Sequence, residues 1–88
     1  MNKSYKITVY TSDNCAFCNS TKKLLINKKL NFEEINISRD DKLKKIMIKK
    51  TNGMMTVPQI FINSEHIGGF EELNNLVNSK KLDDILNK

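Results

Sequence analysis

The chain has 88 residues, 39% hydrophobic and 28% charged, which leaves room for one small domain spanning residues 1–88 and is near the average for folded globular proteins. No apolar run approaches the roughly 18–20 residues of a membrane-spanning helix, and the start, Met-Asn-Lys-Ser-Tyr-Lys, lacks the apolar segment of a secretory leader. Wholesale disorder and a membrane protein are therefore excluded, and a reducing cytosol is the expected compartment. The net charge is +5, carried by scattered lysines and Arg39. A solvated surface accounts for it, and steering of small anionic substrates is the alternative. Neither a basic helix nor an aromatic-studded strand points to nucleic acid.

Residues 5–10 alternate and are β-branched, with Ile7 and Val9 on one side and Thr8 and Tyr10 on the other, which predicts a strand. Thr11-Ser12-Asp13-Asn14 reads as a loop of turn and cap formers. Residues 15–29 contain no Pro or Gly and read as a helix with Cys15 at its start. A second strand is expected over 30–37, with Ile35 and Ile37 opposite Phe32. Ser38 is placed to cap a helix over 39–50, whose stripe is Leu43, Ile46 and Met47, and Asn52-Gly53 ends it. Residues 59–62 form a continuous apolar run, Ile60-Phe61-Ile62 after Gln59, that suits a strand covered on both faces. A tight turn at 63–65 leads to a short return strand at His66-Ile67. Helices over 70–78 and around Leu82, Ile85 and Leu86 complete the chain. The order is βαβα then ββα plus a terminal helix: an α/β chain with a right-handed parallel crossover and the layout of a thioredoxin-like fold, a four-stranded mixed sheet flanked by helices.

Cys15-Ala16-Phe17-Cys18 opens the first helix. Cysteines three apart on a helix lie on one side, a turn apart. The first meets unpaired N–H groups and the positive end of the helix dipole, which favour a thiolate. Such sites fall to roughly pKa 3.5–7.5, against about 8.5 for a free thiol. The spacing suits thiol–disulfide exchange, with Cys15 as nucleophile and Cys18 as resolver. A zinc site lacks ligands beyond His66 and carboxylates, and two inert cysteines are the remaining alternative. Thr56-Val57-Pro58 precedes the apolar strand. Pro58 either simply starts that strand or forms a cis bond facing the cysteines, leaving the Val57 backbone free to pair with an extended substrate. Gly68-Gly69 allows close backbone approach. The helix beginning near Phe70 offers N–H groups to an anion, and Glu71 is placed to accept from a substrate ammonium. An ordinary tight turn is the other reading of this segment.

Together, Tyr10-Thr11, Cys15-Ala16-Phe17-Cys18, Thr56-Val57-Pro58-Gln59-Ile60-Phe61-Ile62 and His66-Ile67-Gly68-Gly69-Phe70-Glu71-Glu72-Leu73 make the chain resemble a glutaredoxin of the small dithiol bacterial type. The resemblance implies a glutathione-dependent oxidoreductase with glutathione as co-substrate and no bound cofactor. It would reduce protein disulfides and glutathione mixed disulfides as a monomer, with ribonucleotide reductase among its partners and neither nucleic acid nor membrane. It implies catalysis by Cys15 and Cys18 and a glutathione groove formed by Phe17, Thr56, Val57, Pro58, Gly69, Phe70 and Glu71. The chain departs from the family pattern at Ala16 and Phe17, where Pro and Tyr are usual. It departs also at Ser12, where a lysine that holds glutathione's glycyl carboxylate is usual, and at Met54-Met55, where a polar anchor is common. Lys49 or Lys50 is the possible substitute. Glu71 stands for an aspartate. Lys22 and Lys23 read as solvated, and His66 as structural or surface. Loss of the proline makes a [2Fe–2S] carrier bridging two subunits one alternative. A hydrogen donor reduced by thioredoxin reductase is another.

Overall fold

The computed structural model describes residues 5–87; residues 1–4, part of the segment read above for a leader, and residue 88 lie outside it. The elements run β1 (Ile7–Thr11), α1 (Ala16–Asn27), β2 (Glu33–Asn36), α2 (Asp41–Lys50), β3 (Gln59–Ile62), β4 (Glu65–Gly68), α3 (Phe70–Asn78) and α4 (Leu82–Leu86). The sheet has four strands in the order β2-β1-β3-β4. β1 runs parallel to β2 and antiparallel to β3, and β3 is antiparallel to β4. This is the expected mixed sheet.

The period-two alternation divides the core between two faces. Ile7, Val9, Ile60 and Ile62 pack with Leu25, Leu73, Leu82 and Leu86 from α1, α3 and α4. Tyr10 and Phe61 face the other way and pack with Ile37 and with Met47 of α2, their rings edge to face at 5.8 Å. Each fully buried aliphatic side chain contributes about 1.5–3 kcal/mol, so β3, buried at every position, holds the two layers together.

The boundaries differ from expectation where local hydrogen bonds decide them. α1 stops because Lys29 turns left-handed (φ 59°) and Leu30 N–H reaches back to the Leu25 carbonyl. β2 therefore starts at Glu33 rather than Leu30, although Phe32 still packs on the α1 side. Ile46 faces solvent and Ile48 takes its place against the core. Asn63 and Ser64, both with positive φ, form the turn into β4, whose first residue is Glu65.

At the open edge, Glu34 on β2 ties three elements together. Thr11 Oγ1 donates to Glu34 Oε2 at 2.7 Å, and Lys22 Nζ of α1 lies 3.1 Å from the same oxygen. Lys22 is thus engaged rather than freely solvated. The Thr11 hydrogen bond, opposed by burial and aided by the Lys22 bond and charge, holds the Glu34 carboxyl below its ordinary pKa. A lowered native pKa means stability that is present above the unfolded-state value and lost as pH falls through the native one. Thr11→Val should cost about 1 kcal/mol at pH 7, discounted for partial exposure. That deficit should shrink as pH falls below the carboxylate range, measured by denaturant unfolding at several pH values.

Candidate functional site

Strand register brings the three motifs to one end of the sheet. Tyr10 pairs with Gln59, so the loop leaving β1 and the loop entering β3 emerge side by side. Ile60 pairs with Gly68 across a bulge in β4, so α3 begins beside them.

Cys15 is the N-cap of α1, with extended backbone, and its Sγ accepts the Cys18 N–H at 3.0 Å. The two cysteines are joined as a disulfide, their Cα atoms 5.2 Å apart. Cys15 is half-buried, whereas Cys18 is 1% exposed on the core side of α1. Cys15 Sγ lies 3.9 Å from the Val57 carbonyl oxygen. In the disulfide that sulfur has no proton to donate, so this is a contact between two loops. The Val57–Pro58 bond is cis, as the second reading of Pro58 expects. The β1–β3 ladder begins at Gln59, leaving the Val57 backbone outside it.

A groove of about 360 Å³ runs beside the disulfide. Phe17, Thr56, Val57, Pro58, Gly69, Phe70 and Glu71, all named from sequence, line it together with Met54, Gln59 and Glu72. Phe17 is 62% exposed and stacks on Phe70 with ring centroids 6.1 Å apart, forming one wall from two helices. Met54 and Met55 are also exposed. The Gly69 N–H is taken by Glu72 Oε1 at 2.7 Å, half of a capping box that glycine, without a side-chain oxygen, cannot complete. Gly68 has φ 124°, and a Cβ there would stand 2.9 Å from Glu72, so this approach requires glycine. The Phe70 and Glu71 N–H groups precede the first bond within α3, which runs from Leu73 to Gly69. The lining carries two carboxylates and no cation. Lys50 lines a separate cavity with Lys6, Thr8, Tyr10, Phe61 and Ser64, and Lys49 lines neither.

The loop holding Cys15 is pinned by residues that sequence reasoning did not connect. Asp13 N–H donates to Ser38 Oγ at 2.6 Å, and Asn36 Nδ2 donates to Asp13 Oδ1 at 3.0 Å. Ser38 is therefore not the cap of α2. Asp40 is, its Oδ1 accepting from the Lys42 and Leu43 N–H groups. The Asp40-Asp41 pair before Leu43 was the available signal. It prevails because an ionised carboxylate at N-cap also meets the helix dipole. Among the described residues no group of three or more His, Cys, Asp or Glu side chains is placed to hold a metal. A cluster bridging two chains would draw one accessible thiolate, Cys15, from each.

The comparisons agree with this geometry. A family model described as glutaredoxin matches residues 7–67. Glutaredoxin 1 of Rickettsia typhi is 43% identical over 89 residues, covering 98% of this chain and 86% of that protein. Among solved structures, the buckwheat glutaredoxin–glutathione complex matches with TM-score 0.82 and 25% identity over 96% of this chain and 78% of its own. Glutaredoxin 1 of Francisella tularensis, solved with cacodylate, matches with TM-score 0.74 and 34% identity, over 97% of this chain and all of its own. The chain belongs to the glutaredoxin family. This glutaredoxin is accordingly a thiol–disulfide oxidoreductase with a Cys15–Cys18 redox pair, and dependence on glutathione is typical of its family. No helix among the described residues is long and apolar enough to cross a membrane.

Separating the two serine and aspartate roles is a direct test. Asp40→Ala should cost about 1 kcal/mol of stability through the lost cap. Ser38→Ala should leave α2 intact and instead speed hydrogen exchange at the Asp13 amide, read by NMR.

Proposed function

We propose that this glutaredoxin uses Cys15 as nucleophile against glutathione mixed disulfides and protein disulfides, with glutathione lying in the Phe17–Glu71 groove and Cys18 as resolver. The observation that carries this is the Cys15 sulfur at the N-cap of α1, half-buried beside the groove, with the Cys18 N–H already directed at it at 3.0 Å. After reduction the same N–H would donate to the thiolate, and the helix start favours that charge.

The reduced Cys15 thiolate attacks the glutathionyl sulfur of a mixed disulfide. The old S–S bond breaks, the substrate thiolate leaves and takes a proton from water, and Cys15 is left bonded to glutathione. A second glutathione thiolate then attacks the bound glutathionyl sulfur, releasing Cys15 and glutathione disulfide. With a protein disulfide, Cys18 attacks Cys15 Sγ in the mixed intermediate and releases the protein dithiol. The product is the Cys15–Cys18 disulfide, which two glutathiones reduce.

Support for the groove assignment is chemical. Val57 offers an N–H and C=O outside the sheet ladder for the glutathione cysteine, as in strand addition. The Phe70 N–H at the start of α3 suits the γ-glutamyl carboxylate, and Glu71 suits its ammonium. Gly69 keeps the backbone close, Phe17 and Pro58 form apolar walls, and Thr56 supplies a hydroxyl. Substrates would include disulfide-bonded or glutathionylated proteins of a reducing cytosol, ribonucleotide reductase among them, handled by one domain spanning residues 1–88.

Cys15→Ser should abolish turnover of a small glutathione mixed disulfide, while Cys18→Ser retains it, because Cys18 is needed only for the dithiol route. Equal loss in both variants would sink the assignment. The groove has no cation, so affinity for glutathione should be modest. Ser12→Lys should tighten binding by roughly one to two tenfold steps if the amine reaches the glycyl carboxylate. The gain should fade as salt rises and vanish with a glycyl-amidated analogue. Calorimetry showing no gain at low salt would mean that the anchor is not missing.

A further inference from the structure

A hydrogen-bonded chain of side chains crosses the α2 face of the sheet and ends at the groove. Gln59 is 1% exposed. Its side-chain nitrogen lies 3.0 Å from the Thr56 carbonyl oxygen and 3.2 Å from Thr56 Oγ1, and its Oε1 lies 2.7 Å from His66 Nε2. The acceptors dictate where the protons are. A carbonyl oxygen only accepts, so the part of Gln59 facing Thr56 must be its NH₂ group. Oε1 then faces His66 and, being an acceptor, requires a proton on Nε2. The ring is held from behind as well. His66 is paired opposite Phe61, and the two rings pack with centroids 5.0 Å apart.

At the other end of the chain this arrangement orients two donors. The amide of Gln59 fills the acceptor side of the Thr56 hydroxyl. Among the described residues no protein acceptor takes the hydroxyl proton, and Thr56 lines the groove. The Thr56 carbonyl and the Val57 N–H belong to one planar peptide unit and point in opposite directions when that unit is trans. The cis bond is the next one along. Gln59, by fixing the carbonyl, directs the Val57 N–H away from itself.

We propose that Gln59 and His66 are positioning residues for glutathionyl substrates: His66 fixes the amide of Gln59, which aims the Thr56 hydroxyl and the Val57 N–H at acceptor oxygens of the ligand. This rests on the glutathione reading of the groove given above. Neither residue touches the sulfurs, so their effect falls on binding and leaves the exchange chemistry alone.

The test compares wild type with His66→Phe, which keeps the ring packing but removes the donor. A second variant, His66→Gln, places an amide nitrogen close to where Nε2 stands. Gln59→Leu removes the middle of the chain. With a small glutathione mixed disulfide, His66→Phe and Gln59→Leu should raise KM about three- to tenfold, the effect of one or two misdirected neutral hydrogen bonds. Their kcat should stay within about twofold of wild type, and His66→Gln should recover most of the KM. Nitrogen-15 NMR should show His66 protonated at Nε2 in wild type and lose that preference in Gln59→Leu. A folded His66→Phe variant with wild-type KM, or one whose kcat falls while KM holds, overturns the proposal. If Gln59→Leu does not fold, the two His66 variants decide. A wild type that does not turn over this substrate overturns the glutathione reading itself. The relay is then judged on the nitrogen spectrum: a mixed tautomer in wild type overturns it, and a fixed Nε2–H supports it.

Discussion

The antiparallel register of β1 against β3 is the constraint on which the site depends. Pairing Tyr10 with Gln59 makes the end of one strand and the start of the other coincide at the same edge of the sheet. The cysteine loop leaves after Thr11 and the Val57–Pro58 segment arrives before Gln59, so the two meet without any contact of their own being required to bring them together. The alternation along these strands enforces that register. Slipping β3 by one residue would turn Ile60 and Ile62 out of the Leu25–Leu73 layer and Phe61 away from Tyr10. The core thus specifies the site geometry indirectly, through the cost of misaligning fully buried side chains.

Two helices start at this edge, and their starts do different things. α1 has a sulfur at its N-cap, the weakest kind of cap acceptor in neutral form but a good one as a thiolate. The first turn of α1 carries no acidic residue, so no side chain of that turn opposes the charge. α3 has glycine at the N-cap and Glu71 and Glu72 in its first turn. Glu72 turns back onto Gly69, while Glu71 faces the groove. One helix start therefore favours a thiolate at Cys15, the anion the proposed mechanism uses. The other combines free N–H groups with a carboxylate, a pairing that suits a zwitterionic ligand end better than a simple anion.

Most of this was legible in the residues. Strand periodicity and turn residues located every element, because short apolar alternations leave little choice of buried face. The groove was legible by resemblance, since its residues lie in three compact segments. The missed details all depend on side chains meeting backbone or other side chains across the fold. Asp13 and Ser38 are 25 positions apart, and nothing in either neighbourhood announces their bond. Ser38 has the chemistry of a helix cap and sits where one is expected. The stronger acceptor two residues on took that role, and the serine hydroxyl went to the cysteine loop. Lys29 ends α1 in a conformation that usually calls for glycine or asparagine, so the sequence alone points to an earlier start for β2 than the fold has. His66 was legible only as a residue on a return strand. Its bond to Gln59 depends on the bulge that pairs it with Phe61, which one strand's sequence does not reveal.

The charge distribution separates attraction from recognition. The chain carries +5, yet the groove lining has Glu71 and Glu72 and no lysine. A scattered positive surface raises the local concentration of a small anion without fixing its orientation, and it does so less as salt rises. On the proposed reading of the groove, orientation then falls to uncharged donors: the Phe70 N–H, the Val57 N–H and the Thr56 hydroxyl. Neutral donors are each worth less than a charged anchor, about 0.5–1.5 kcal/mol against about 1.5–3 kcal/mol, so their contribution depends on being held in place beforehand. That is the physical reason a second layer of hydrogen bonds behind Thr56 would matter more in this proposed site than in a groove with a lysine. A flexible cation can reach for its partner, whereas a backbone N–H has to be pointing at it already.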